Sequence, residues 1–77
     1  MKEGLLWLDV DPQRSLRDKI ISAADSYRRK YGIVPTACYC NAGQLAEPMQ
    51  LGRLRALPAS NVLPYHFWVG VERSKEG

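Results

Sequence analysis

The apolar positions of this chain change their period several times, and each change marks an element. Residues 4–10, Gly-Leu-Leu-Trp-Leu-Asp-Val, form a short, nearly continuous apolar run. Its length, its Trp and its Val favour a strand over a helix. Leu6, Leu8 and Val10 would share one face, with Leu5, Trp7 and Asp9 on the other. Large apolar groups on both faces predict a central strand. Asp11-Pro12 ends it, because proline cannot donate to a ladder and aspartate before it favours a turn. The period then becomes helical: Leu16, Ile20, Ala23, Ala24, Tyr27 and Tyr31 recur at spacings of three and four. Ser15-Leu16-Arg17-Asp18 resembles a capping box, so the helix is predicted to start near Ser15, or at Pro12 with Asp11 as cap. Arg28, Arg29 and Lys30 suit the negative end of its dipole. Gly32 is the expected left-handed residue after its last turn, with Ile33 as apolar partner.

Residues 34–40 read as the strand this helix delivers, with Cys38 and Cys40 on one face and Ala37 and Tyr39 on the other. Strand, helix, strand at this spacing predicts two parallel strands joined by a right-handed crossover. Asn41 is placed to cap a short helical segment over 42–51, which Gly43 and Pro48 weaken and Gly52 ends. Arg53 to Leu57 alternates strictly, the pattern of an edge strand with one wet face. Pro58 to Asn61 is a turn cluster. In the final strand, 62–72, Tyr65, Phe67, Val69 and Val71 share one face and His66, Trp68 and Gly70 the other.

Together these elements predict an α/β domain of the two-layer α+β kind over residues 1–72, with a polar tail at 73–77. The element order is β-α-β-(short α)-β-β. The last two strands are expected to form a hairpin, giving a mixed four-stranded sheet in the order 2-1-4-3, with 1-2-3-4 as the alternative. The long helix would cover one face, and the short segment only part of the other.

Composition bounds this picture. Seventy-seven residues suffice for one domain with a thin stability margin, for which dimerisation is a natural remedy. The 45% apolar and 25% charged shares argue against disorder. A net charge of +3 is only mildly basic, a weak pointer to nucleic acid. Two cysteines two residues apart make no disulfide framework. With no signal-peptide pattern and no apolar run of membrane-spanning length, a cytoplasmic protein with reduced thiols and no membrane partner is expected.

The alternation sends Trp7, Tyr39, His66 and Trp68 towards the partly covered face, with Arg53 and Arg55 joining from the edge strand. Such a set suits partner binding. The simplest partner is a second copy of the chain. The alternative is single-stranded nucleic acid, stacked on the aromatics and neutralised by the arginines. Asp9 and Asp11 with His66 form a second candidate, a metal-dependent catalytic rim at the strand ends. No nucleophile motif accompanies them, so the balance is against an enzyme. Cys38, Cys40 and His66 are metal-ligand types, but His66 is predicted opposite the thiols, and no metal or cofactor is expected.

Overall fold

The computed structural model describes residues 4–72, so the expected tail at 73–77 lies outside the described residues. Along the chain run β1 (Leu5–Leu8), α1 (Leu16–Tyr31), β2 (Ala37–Asn41), β3 (Met49–Leu51), β4 (Leu54–Ala59) and β5 (His66–Gly70). The strands form one mixed sheet in the order β1-β5-β2-β4-β3. Only β2 and β4 pair in parallel; the other three pairings are antiparallel. The α+β class expected from the sequence therefore holds, while the strand arrangement differs in three ways.

First, β1 is an edge strand, not a central one, and pairs with β5 alone. It does run parallel to β2, as a strand-helix-strand unit requires, but β5 lies antiparallel between them. The crossover fixes relative direction only. The gap goes to the strand with most to bury, since Phe67 and Val69 are fully enclosed.

Second, residues 42–51 form no helix. The Gln44 and Leu45 N–H groups donate to the Asn41 carbonyl, and Gly43 donates to Asn41 Oδ1, making a single turn. Gly43 and Pro48 oppose continuation, and the chain enters β3 instead. A two-residue connection, Gly52-Arg53, joins β3 to β4 with Leu51 opposite Leu54. Gly52 sits at φ 63°, at the position where a tight hairpin of this kind favours glycine. The predicted edge strand is thus flanked on both sides, and it continues through Pro58 to Ala59. Pro58 is tolerated because it lies past the end of β3, whose Met49 pairs with Ala56.

Third, the last two strands form no hairpin, since β2 lies between β4 and β5. Residues 60–65 cross over the end of β2. Asn41 Nδ2 donates to the Val62 carbonyl at 2.8 Å, and Gln44 Oε1 accepts from the Tyr65 N–H at 2.6 Å. These side chains tie the crossing down where a tight turn would have closed a hairpin.

The helix forms where the periodicity places it. Ser15 is its N-cap, accepting from the Asp18 N–H at 3.1 Å. Gly32 closes it in the left-handed conformation, donating to the Arg28 carbonyl at 2.8 Å. Ile33 stays exposed rather than stapling that end. Ile20, Ala23 and Tyr27 are buried against the sheet, chiefly over β5 and β1. The same side receives Leu5 and Trp7 from β1, Cys38 and Cys40 from β2, Leu54 and Ala56 from β4, and Phe67 and Val69 from β5. Leu45, at the turn after β2, fills the remaining flank of this core. The 42–48 segment therefore helps the helix on its own side and leaves the opposite face bare. Full burial of a residue such as Phe67 or Ile20 contributes roughly 2–3 kcal/mol, so these few side chains carry most of the fold.

Candidate binding face

The bare face is built by strand alternation. Leu6 pairs with Trp68, Trp68 with Tyr39, and Tyr39 with Leu57, so these four side chains form one row across β1, β5, β2 and β4. Leu8 pairs with His66 in the next row. Gln50, Arg55 and Ala37 form the row at the far end. Leu6 is 56% exposed and Leu8 57%, which is unusual for leucines inside a strand.

A cleft of about 540 Å³ opens on this face. Its floor is Leu6, Trp68, Tyr39 and His66, and its wall is the Pro58–Leu63 stretch, including Asn61 and Val62. Leu63, at 67% exposure, stands on the wall. The crossing tied down by Asn41 thus shapes the cleft. Gly4 allows the Trp68 indole to lie close to the start of β1, since a Cβ there would meet the ring at 3.2 Å and the Val69 carbonyl at 2.8 Å. Two polar groups are held in place. The Tyr39 hydroxyl donates to Glu72 Oε1 at 2.8 Å, and Glu72 is itself fixed by its N–H on Thr36 Oγ1. The hydrogen bond to Glu72, followed by burial and the Glu72 charge, raises the Tyr39 pKa above its usual value. His66 Nδ1 lies 2.9 Å from the Pro64 carbonyl, a contact that requires Nδ1–H as the donor.

Of the six residues the sequence assigned to this face, Tyr39, Trp68 and His66 come together in the cleft. Trp7 does not. Its pairing with Phe67 turns it to the helix side, where its indole Nε1 is buried without a hydrogen-bond partner. Leu6 takes the place expected of Trp7. Arg55 shares the face but lies at its far end, beside Ala37. Arg53 sits in the β3–β4 turn, at the distant edge of the sheet. The misplacement of Trp7 has one origin: which face of β1 looks inward depends on its register with β5, and both of its faces are apolar.

The Asp9, Asp11 and His66 rim is not assembled. Asp9 follows the inward parity of Leu5 and Trp7, and its N–H donates to the Tyr65 carbonyl. Its carboxylate pairs with Arg14 at 3.2 Å and accepts from the Asp11 N–H. Asp11 accepts from the Gln13 N–H, completing a turn. His66 faces the other side of the sheet. Among the described residues, no group of three or more His, Cys, Asp or Glu side chains is placed to hold a metal ion. Cys38 and Cys40 are fully buried free thiols on the helix side, away from His66. The hydrogen bond with Cys40 and burial push the Cys38 thiol far above its ordinary range, so it stays protonated.

One feature had no sequence signal. Tyr65, with no glycine beside it, adopts φ 66°, a left-handed conformation uncommon for an aromatic residue. Its backbone is clamped by Gln44 and Asp9, and its ring sits 5.1 Å from the Lys19 ammonium. Lys19, only 5% exposed, buries its aliphatic stem beneath the helix and rests its charge on that ring.

Among the described residues, no helix is long and apolar enough to cross a membrane. Comparison with protein-family models, with curated proteins and with solved structures finds no match.

Proposed function

We propose that this protein acts by binding, that the bare sheet face is its contact surface, and that the partner is a second copy of the chain. The observation that carries the reading is the row Leu6–Trp68–Tyr39–Leu57, half-buried except for exposed Leu6, with exposed Leu8 and Leu63 beside it, on a face that no helix of the described residues covers. A second copy supplies the same apolar row, and sheets pack face to face with interdigitated side chains. Single-stranded nucleic acid is the weaker alternative. Of the described cations only Arg55 shares the face, while Arg17, Arg28, Arg29 and Lys30 belong to the helix layer on the far side. The buried, unpaired thiols of Cys38 and Cys40 suit a reducing compartment such as the cytoplasm.

The test uses Trp7→Phe, which leaves Trp68 as the sole tryptophan. Sedimentation equilibrium and tryptophan emission are followed together across micromolar concentrations. A dimer mass with a parallel blue shift of Trp68 is the expected result. A monomer at every concentration overturns the reading. So does a dimer whose Trp68 emission never moves.

A further inference from the structure

We infer that the β1 edge is a second self-association surface, through which two copies pair β1 against β1 in antiparallel fashion and join their sheets into one. The inference stands on the sheet edge and does not require the face contact proposed above. The Asp9 N–H donates to the Tyr65 carbonyl, and the pairs Leu5–Val69 and Trp7–Phe67 continue that register. In an antiparallel ladder, residues that exchange hydrogen bonds alternate with residues that do not. Leu5, Trp7 and Asp9 therefore turn their backbone groups towards β5. The N–H and C=O groups of Leu6 and Leu8 point outward, to an edge that no strand among the described residues occupies.

This edge lacks the features that normally prevent pairing. Leu5-Leu6-Trp7-Leu8 carries no charge, no proline and no bulge. The opposite edge of the sheet is different: β3 has three residues, preceded by Pro48 and followed by a turn at Gly52. The outward groups of β1 are also self-complementary. Under a two-fold axis normal to the sheet, Leu6 of one copy faces Leu8 of the other as a hydrogen-bonded pair, and Trp7 faces Trp7. Each Leu6 and each Leu8 then satisfies both of its outward groups. The same register sets Leu6 of one copy beside Leu8 of the other on the bare face. The two leucines that stand most exposed in β1 thereby cover each other, and the apolar row becomes continuous across two sheets. Self-complementarity of this kind selects a second copy over an unrelated strand, whose side chains nothing here specifies.

Amide hydrogen exchange on the wild-type chain reads the edge directly. At a concentration where about nine-tenths of the chains are paired, exchange at Leu6 and Leu8 slows about tenfold relative to dilute protein. Leu6→Pro removes one outward N–H and keeps an apolar side chain, in a position where an edge strand tolerates proline. It is expected to abolish this association step. Should it unfold, Leu8→Pro removes the other outward N–H without touching the β5 ladder and keeps an apolar side chain on the face, and the concentration-dependent slowing at Leu6 should then be lost. Exchange at Leu6 and Leu8 that is independent of concentration overturns the inference. If Trp68 still blue-shifts in that case, the face contact stands alone; if neither changes, both fall. Protection of Leu6 and Leu8 without a Trp68 shift supports the edge and refutes the face.

Discussion

Replacing Asn41 by alanine tests whether the crossing over β2 is held by the side chain that the structure assigns to it. Two hydrogen bonds vanish, Nδ2 to the Val62 carbonyl and the Gly43 N–H to Oδ1, each 2.8 Å long. A typical intramolecular hydrogen bond contributes about 0.5–1.5 kcal/mol net, so the pair amounts to about 2 kcal/mol. A chain of this size has about 4–12 kcal/mol of total stability, so the variant still folds. For a domain of this length, 1 kcal/mol moves the midpoint by roughly 4–8 °C, so Tm should fall by about 8–16 °C. Asn41→Asp separates the two bonds. It keeps an acceptor for Gly43 but turns a carboxylate oxygen towards the Val62 carbonyl, so at neutral pH it should be at least as destabilised as the alanine variant. Below about pH 4 the acid is protonated and can donate, and the gap should close or reverse. Calorimetry of the three proteins at neutral and acidic pH gives the answer. A fall in Tm of less than about 3 °C for Asn41→Ala, or an aspartate variant that tracks alanine at every pH, would show that packing and not Asn41 holds the crossing.

Other outcomes follow from single contacts. Trp7→Phe removes a buried indole N–H that has no partner, which offsets the lost ring volume, so urea unfolding should place it within about 1 kcal/mol of wild type; Trp7→Ala, which leaves a cavity, should cost about 3 kcal/mol. The Tyr39 pKa in the folded chain lies above its unfolded value near 10, so the hydroxyl's contribution to stability is fully present below that pH and is lost as pH rises through the folded value. Absorbance titration of the phenols should show a late-ionising tyrosine that Tyr39→Phe removes; a titration curve of unchanged shape in that variant would contradict the Glu72 contact. Gly4→Ala forces a methyl against the Val69 carbonyl and the Trp68 ring, so thermal unfolding should come earlier and Trp68 emission should change even in dilute monomer. Lys19→Met keeps the buried stem and removes the charge over Tyr65, and the loss in denaturant stability should not exceed about 2 kcal/mol.

Local structure was more legible in this sequence than pairing. Ser15, the three-and-four spacing and Gly32 fix the helix by contacts within a few residues, and those are visible in the chain. Alternation likewise separated Tyr39 from the cysteines and Trp68 from Phe67. What failed was strand order and register, which are set at long range. The direction shared by β1 and β2 was readable from their connection, but no local feature announced that β5 would slide between them. Trp7 was misplaced for the same reason, since the inward face of β1 is chosen by its register with β5. The β3–β4 hairpin was signalled by Gly52-Arg53 between two apolar residues, Leu51 and Leu54, yet the helix-like reading of 42–51 absorbed it. Asn41 and Gln44 carried the hidden information, because their side chains replace a tight turn with a crossing.

The bare face follows from there being one helix among the described residues, but its composition does not. One helix of 16 residues and a single turn cover one side of a five-stranded sheet and cannot reach the other. An antiparallel sheet tolerates such exposure when its outer positions are polar. The far end of this face obeys that rule: Gln50 and Arg55 sit opposite each other on β3 and β4. The end near β1 departs from it, with Leu6, Leu8, Trp68 and Tyr39 at outward positions and Leu63 beside them. Solubility alone would favour polar residues at both ends, since each exposed leucine gains nothing in the monomer. The polar half also shows that this sheet folds with hydrophilic outer positions where they occur. The apolar character is therefore confined to one region, and that region borders the only sheet edge in the described residues that is four residues long, uncharged and uninterrupted. A contact surface accounts for both facts at once, because the leucines that open the face are the same leucines whose backbone groups open the edge.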